Sequence, residues 1–184
     1  MNKVELNNDI LLIMDFWTKE RCEEYIKFSE EKGYANAKIN TGMGQRVVKS
    51  VRNNKRVMYK DQNLADDVWN DLKNFITDDY GIFKPLGLNE LFRFYRYKPK
   101  EEFKKHRDES YIRNENEMSF YTFMIYLNND FKGGETTFNN NKITPITGMA
   151  LVFLHSLEHS GNPVIEGTKY VLRTDIMYQR TNQP

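Results

Sequence analysis

Residues 150–178, ALVFLHSLEHSGNPVIEGTKYVLRTDIMY, contain two runs rich in aromatic and β-branched residues, with a Gly-Asn-Pro turn between them. Such runs favour β-strands, and turn residues between them favour antiparallel pairing. The same pattern extends towards the N-terminus, with no helical pattern between the runs. These further runs are residues 91–97 (LFRFYRY), 120–127 (FYTFMIYL) and 135–138 (ETTF). Many short strands at this spacing are typical of an antiparallel sandwich or jelly roll.

The N-terminal part of the chain has a different pattern, which predicts helices. Residues 9–16 (DILLIMDF) favour a short buried strand. Thr18 is a candidate N-cap for a helix that continues to about Lys32, and Gly33 is a typical C-terminal stop. We expect this helix to pack on the outer face of a sheet.

Two further segments complete the first 80 residues. Residues 36–60 are polar, basic and contain glycine, so we expect a long loop with one or two short strands. Apolar residues then recur every four positions, which predicts a second helix over residues 64–77, capped by Asp61 or Asn63.

These patterns predict a single domain over residues 1–184, of the α+β class but mainly β. Residues 1–80 are expected to form an N-terminal helical support region. Residues 81–180 are expected to form the β core that carries the chemistry. The helices pack on the outside of this jelly-roll core in the predicted arrangement.

Composition narrows the range of partners. The 184 residues carry 27 Lys and Arg against 26 Asp and Glu, a net charge of +1. This balance makes nucleic acid or an anionic membrane an unexpected partner, while a local basic groove stays compatible with it. Cys22 is the lone cysteine, which excludes an internal disulfide. The apolar run Ile10–Met14 is too short for a secretory signal or a membrane span. We therefore expect a cytoplasmic protein, with no prediction of its oligomeric state.

The three histidines of the chain are His106, His155 and His159. His106 and Asp108 are two positions apart, so in an extended segment both side chains face the same way and can share one ion. A second histidine from a neighbouring strand completes a two-histidine, one-carboxylate triad, which is typical of non-haem Fe(II) oxygenases. We favour His159 as this ligand. His155 ends an apolar strand, and we interpret it as a hydrogen-bonded core or supporting histidine.

Several motifs keep a common order along residues 91–178. A tyrosine precedes His-x-Asp by nine residues, and a strand Thr-x-x-x-Tyr-Leu-Asn leads to Gly-Gly-Glu-Thr. The distal histidine is followed by Pro-Val and then Gly-x-Lys. The residues concerned are Tyr97, Thr122, Tyr126, Leu127, Asn128, Gly133, Gly134, Glu135, Thr136, His159, Pro163, Val164, Gly167 and Lys169. In these motifs the chain resembles the Fe(II)/2-oxoglutarate-dependent dioxygenases, specifically their prolyl 4-hydroxylase-like branch.

The resemblance implies a double-stranded β-helix of the jelly-roll or cupin-like type, with Fe(II) held by His106, Asp108 and His159. It implies 2-oxoglutarate and O2 as cosubstrates, with ascorbate as an optional reductant. The far carboxylate of 2-oxoglutarate needs a buried cation. Lys169 is the favoured candidate and Arg173 its competitor, unless Arg173 pairs with Asp175 or Glu166. Tyr97 and Thr122 are expected to donate hydroxyl groups to the same carboxylate.

The resemblance also implies the reaction: hydroxylation of an unactivated C–H bond, with decarboxylation of 2-oxoglutarate to succinate and CO2. The expected enzyme is similar to procollagen-proline 4-dioxygenase and acts on a prolyl residue of a peptide or protein. Arg52, Asn54 and Arg56 precede the barrel and are candidates for contact with that substrate. Two alternatives are the same chemistry on a nucleic acid or small metabolite, and a non-catalytic cupin-like module that binds a metal or ligand.

Overall fold

The computed structural model describes residues 1–7, 9–42 and 44–181, which form two helices and eighteen strands. Helix α1 spans Lys19–Lys32 and α2 spans Gln62–Leu72, followed by a short 3-10 turn at Lys73–Phe75. Strands β1 to β9 are Asn2–Asn7, Ile10–Met14, Ala35–Asn36, Ile39–Thr41, Gly44–Arg46, Lys55–Lys60, Phe83–Leu88, Leu91–Tyr97 and Phe103–His106. Strands β10 to β18 are Ile112–Asn114, Glu117–Tyr126, Lys132–Gly133, Thr136–Phe138, Lys142–Ile143, Ala150–Leu154, His159–Gly161, Val164–Glu166 and Lys169–Arg180.

Two antiparallel sheets build the core. The major sheet has the order β1-β2-β15-β11-β18-β8-β6-β3, with β10 and β7 paired to β11 and β18. The minor sheet has the order β14-β13-β16-β9. Side chains of both sheets share one buried cluster, in which Tyr126 and Phe153 of the major sheet accompany Phe138 and Ile143 of the minor sheet. The expected jelly-roll core is therefore confirmed.

Alternation along the strands of the major sheet creates a second buried layer. On β8, Phe92 and Phe94 point away from the inner cluster and join the cluster that contains α1 and α2. Tyr95 and Tyr97 of the same strand point inward. The helices contribute apolar side chains to the outer cluster, among them Cys22, Leu64, Val68 and Leu72. The helices thus cover the outer face of the sheet, as predicted.

Local signals account for the helix ends. The Thr18 hydroxyl accepts a hydrogen bond from the Arg21 N–H at 3.2 Å, and Gly33 ends α1 with a φ of +79°. Asp61 caps α2 by accepting from the Leu64 N–H at 3.0 Å. The second helix is shorter than predicted, because the chain tightens into the 3-10 turn after Leu72 instead of continuing to residue 77.

The segment 36–60 differs most from expectation. It contains three strands and a part of β3 instead of one or two strands in a long loop, and β6 pairs along its whole length with β8. Strands β1, β2, β3 and β6 all lie in the major sheet. The first 80 residues are therefore more than a helical support, since they extend the sheet of the core on both sides. Within the described residues, no helix has the length and apolar character needed to cross a membrane.

Candidate active site

Strand pairing brings His106 and His159 together. His106 is the last residue of β9 and His159 the first of β16, and the two are direct partners in the antiparallel register. Their ring centroids are 4.3 Å apart. The two histidines are 53 residues apart in the sequence and are brought together by pairing in the minor sheet, so tertiary pairing sets this distance.

Asp108 completes the cluster from a loop. Strand β9 ends at His106, so Asp108 lies beyond the strand that carries the first ligand. The Asp108 N–H donates to the His155 carbonyl at 3.1 Å, which anchors the loop against β15. Its two carboxylate oxygens each lie 3.7 Å from one histidine Nε2, Oδ1 from His106 and Oδ2 from His159. One ligand atom from each of the three residues lies within 4.8 Å of the others.

The hydrogen bonds of the two histidines favour metal binding through Nε2. Nδ1 of His106 lies 2.7 Å from the Lys104 carbonyl, and Nδ1 of His159 lies 3.0 Å from the Leu157 carbonyl. Because a carbonyl only accepts, both Nδ1 atoms carry a proton, so Nε2 is the ring nitrogen that each histidine can offer to a metal. Burial lowers the pKa of His159 to about 4 and keeps this ring neutral. Two neutral imidazoles and one carboxylate are the donor set that suits Fe(II).

Asp108 has strong partners behind it. Its Oδ2 accepts from the Thr122 hydroxyl at 2.6 Å and lies 3.0 Å from Nη2 of Arg173. Burial opposes ionisation, but Arg173 and the two histidines hold the pKa of Asp108 well below its usual range. The carboxylate is therefore charged and fixed in orientation.

Thr122 lies beside Asp108 and Arg173, the competing candidate cation. Its hydroxyl contacts Asp108, Arg173 and, at 3.2 Å, Nδ1 of His155, and none of these is the Lys169 ammonium. Nε2 of His155 lies 3.0 Å from the Ser119 hydroxyl, so this buried ring forms hydrogen bonds at both nitrogens. This position agrees with the interpretation of His155 as a hydrogen-bonded core histidine.

Arg173 and Lys169, the two candidate cations, have different surroundings on β18. Arg173 lies 3.0 Å from Asp108 and 3.1 Å from Asp175, so it is paired twice. Lys169 is 3% exposed and donates to the Gly134 carbonyl at 2.5 Å. Within the described chain no carboxylate oxygen lies within 4.0 Å of its ammonium group. Burial lowers the pKa of Lys169 to about 7, against a smaller opposing effect of Glu135.

Aromatic rings surround the Lys169 ammonium. The centroids of Tyr97 and Tyr126 each lie 5.3 Å from Nζ. The Tyr126 hydroxyl donates to Thr136 at 2.6 Å, while Tyr97 lines the same cavity as Lys169. The structure therefore brings Tyr97 to Lys169, and it brings Thr122 to Arg173 and Asp108.

One cavity of about 520 Å³ is lined by both the metal-ligand cluster and the two candidate cations. Its wall includes the three clustered ligands together with Tyr97, Lys169 and Arg173, and also Arg52 and Arg56 from the segment before the barrel. Asn54 is absent from the described wall. It is buried, accepts from Nε of Arg52 at 3.0 Å and donates to the Lys55 carbonyl, so in the structure it supports Arg52.

Sequence reasoning missed two residues of the site. Phe103 stacks on the His106 ring with centroids 3.5 Å apart. Tyr95 is buried, and although burial raises its pKa, Arg173, Arg52 and Arg93 lower it to about 8. The alternation of β8 places Tyr95 on the same face as Tyr97, and this signal was available in the sequence.

Comparisons with known proteins agree with this geometry. Residues 92–174 match the family model of the 2OG-Fe(II) oxygenase superfamily. A protein of Acanthamoeba polyphaga mimivirus named "Putative prolyl 4-hydroxylase" is 26% identical over 173 residues, which cover 82% of this chain and 66% of the viral protein. The match thus spans slightly less than two thirds of the length of that relative.

Solved structures share the fold. The viral collagen prolyl hydroxylase of Paramecium bursaria Chlorella virus-1, solved as a 2OG complex, superposes with a TM-score of 0.64 at 18% identity, over 94% of this chain and 97% of that one. A Trichoplax adhaerens prolyl hydroxylase, solved with a hypoxia inducible factor peptide fragment, gives 0.72 at 17% identity, over 92% and 84%. The matched segment, residues 92–174, also contains the three clustered ligands, so the chain is similar to the 2OG-Fe(II) oxygenase superfamily in the part that carries the site.

Proposed function

We propose that the protein is an Fe(II)- and 2-oxoglutarate-dependent oxygenase that hydroxylates a prolyl residue of a peptide or protein. In this reaction one atom of O2 enters the C–H bond and the other enters succinate, as 2-oxoglutarate loses CO2. One observation carries the proposal: a two-histidine, one-carboxylate cluster lies in the same cavity as a buried ammonium group that has no carboxylate partner among the described residues.

The ligand cluster has a clear role in this proposal. His106, Asp108 and His159 hold Fe(II), which, together with 2-oxoglutarate and O2, supplies the oxidising chemistry. Thr122 and Arg173 hold Asp108 in its ionised state and fixed orientation. The carbonyls of Lys104 and Leu157 orient the two imidazoles.

The opposite part of the cavity holds the cosubstrate. Lys169 pairs with the far carboxylate of 2-oxoglutarate, because a buried ammonium with a carbonyl as its single hydrogen-bond acceptor gains most from an anion. Tyr97 lies beside it and donates its hydroxyl to the same carboxylate. Arg173 is assigned to Asp108 and Asp175 instead.

The proposal that the substrate is a prolyl residue is based on the related proteins. The named or solved relatives described above carry prolyl hydroxylase names, and one was solved with a bound peptide. Arg52 and Arg56 line the cavity and supply the substrate side of the wall.

We further propose a cytoplasmic location, since Cys22 is a free, buried thiol and no disulfide stabilises the described fold.

The first test is anaerobic addition of Fe(II) and 2-oxoglutarate to the purified protein, followed by visible absorption. Chelation of 2-oxoglutarate by iron at a facial triad gives a charge-transfer band, which needs no substrate. We expect the band in the wild type, its loss in His106→Ala, and a large increase in the 2-oxoglutarate concentration required in Lys169→Met. Tight Zn(II) binding without any band would overturn the proposal in favour of a binding module.

A further inference from the structure

The wall of the cavity is far more basic than the chain as a whole. Seven basic and three acidic side chains line it, an excess of four positive charges in a chain whose net charge is +1. Such a concentration in a concave site attracts anionic ligands. Fe(II), when bound, adds to the positive charge, while the two carboxylates of 2-oxoglutarate offset the charge of the metal.

Most of the acidic groups already have partners. Asp175 lies 3.1 Å from both Arg93 and Arg173, and Asp108 belongs to the metal cluster and Arg173. Glu109 accepts from the Asn40 side chain at 2.7 Å. Arg52 and Arg56 lie on the same wall, and within the described residues neither has a carboxylate oxygen within 4.0 Å. Burial and the neighbouring arginines lower the pKa of Arg56, although Tyr95 partly opposes this effect.

Arg52 is the more tightly held of the two. It is 4% exposed, and its guanidinium carbon lies 4.1 Å from the Phe103 centroid and 4.8 Å from the Tyr95 centroid. Its Nε donates to Asn54, but Nη2 is buried and has no acceptor among the described residues. A guanidinium fixed by two rings and one amide, which has an unpaired donor and belongs to a residue of the cavity wall, is preorganised to bind a carboxylate.

Phe103 relates this guanidinium to the reaction. The same ring that lies against Arg52 stacks on His106 at 3.5 Å. A group held by Arg52 therefore lies next to the metal ligands, where the reacting part of a substrate must sit. Since the guanidinium is enclosed between rings instead of lying on an open basic groove, a single side-chain carboxylate suits it better than a nucleic-acid backbone.

We infer that Arg52, supported by Arg56, binds a carboxylate of the substrate, so that the enzyme prefers a prolyl residue flanked by Asp or Glu. This inference rests on the proposed function and specifies its substrate class. Arg52 acts as a substrate-binding and specificity-determining residue.

The test compares matched peptides with the full chain, Fe(II), 2-oxoglutarate and O2. The peptides are capped nonapeptides with one central proline. The acidic peptides carry Asp or Glu beside the proline, and the amide peptides carry Asn or Gln in the same place. Mass spectrometry measures the added oxygen. We expect kcat/KM to be about tenfold or more higher for the acidic peptides. Arg52→Gln should remove this preference by lowering kcat/KM for the acidic peptides. Arg56→Gln should reduce it less, and Arg52→Lys should retain part of it.

Three measurements separate the possible sources of the carboxylate. Anisotropy of labelled peptides with Mn(II) and 2-oxoglutarate under nitrogen measures binding without turnover, and acidic peptides should bind more tightly to the wild type than to Arg52→Gln. If Arg52→Gln instead raises the KM for 2-oxoglutarate and leaves the peptide preference intact, the carboxylate belongs to the cosubstrate and the inference is wrong. Turnover of methylated oligonucleotides without any turnover or binding of peptides would also overturn it.

Control measurements separate a failure of the substrate inference from a loss of fold and from a failure of the proposed function. Arg180→Gln alters an exposed arginine near the end of β18 and should retain the wild-type preference. Melting curves of each variant identify loss of fold. Absence of the charge-transfer band contradicts the proposed function, whereas a normal band with equal use of acidic and amide peptides contradicts the substrate inference alone.

Discussion

At one end of the cavity Arg173 lies between Asp108 and Asp175, whereas at the other end Lys169 lies among tyrosine rings and donates to a carbonyl. Lys169 is buried and Arg173 is half-buried, and both come from β18, four residues apart. Asp108 and Asp175 raise the pKa of Arg173 against the effect of burial, while burial lowers that of Lys169. The difference indicates that Arg173 is a fixed part of the protein and that Lys169 is completed by a ligand.

The largest effect should follow loss of the paired cation. Arg173→Met leaves Asp108 and Asp175 buried with fewer counter-charges, so we expect a loss of about 3 kcal/mol of stability and weaker metal binding. Urea denaturation of the metal-free protein measures this loss. Arg180→Met, on the same strand but exposed, is the control and should change stability little. A fully stable Arg173→Met protein would contradict the distinction between the two ends.

Loss of the other cation should have the opposite signature. Lys169→Met removes a charge that burial disfavours, so stability of the metal-free protein should be unchanged or higher. The KM for 2-oxoglutarate should rise by about 100-fold, as expected for a buried charge left without its partner. Turnover at varied 2-oxoglutarate concentrations gives this value, and titration of the visible band gives the corresponding dissociation constant. An unchanged KM would show that another residue holds the far carboxylate.

Thr122→Val tests whether the Thr122 hydroxyl acts with Asp108 and Arg173 or with Lys169. The hydroxyl donates to Asp108, so its removal should lower Fe(II) affinity by about tenfold and leave the KM for 2-oxoglutarate unchanged. Metal titration with the visible band as readout gives the Fe(II) affinity, and turnover at varied 2-oxoglutarate concentrations gives the KM. If the KM for 2-oxoglutarate rises instead, Thr122 belongs with Lys169, as the resemblance first implied. Thr137→Val, in a residue outside the described cavity wall, serves as the matched control.

The smallest effect concerns pH. The pKa of Lys169 is about 7 in the folded protein and higher when the chain is unfolded, so between these values the unfolded state binds more protons. Stability of the metal-free wild type should therefore increase with pH above 7, relative to Lys169→Met, by up to about 1 kcal/mol per pH unit. Denaturation of both proteins from pH 6.5 to 9.5 measures this difference. Parallel curves would indicate that the Lys169 pKa is not depressed.

The sequence by itself determined the features that depend on neighbouring residues. The helix caps at Thr18 and Asp61 are satisfied within three residues, and strand alternation depends only on the backbone of each strand. The β18 run and the motifs of the site also lie in continuous segments. These local signals, with the resemblance, were enough to predict the jelly-roll class and to propose the residues of the metal cluster.

The tertiary structure alone decided which of these residues meet. Three features illustrate this: β6 pairs with β8, Thr122 donates to Asp108, and Asn54 accepts a hydrogen bond from Arg52. Each depends on contacts across strands or in a buried turn, which spacing along the chain does not reveal. The same is true of the two cations on β18: Lys169 was the favoured candidate, but their spacing kept Arg173 as its competitor. Only the carboxylates brought in by the fold neutralised Arg173 and left Lys169 without such a partner in the described structure, because a buried charge is defined by the groups that surround it in space.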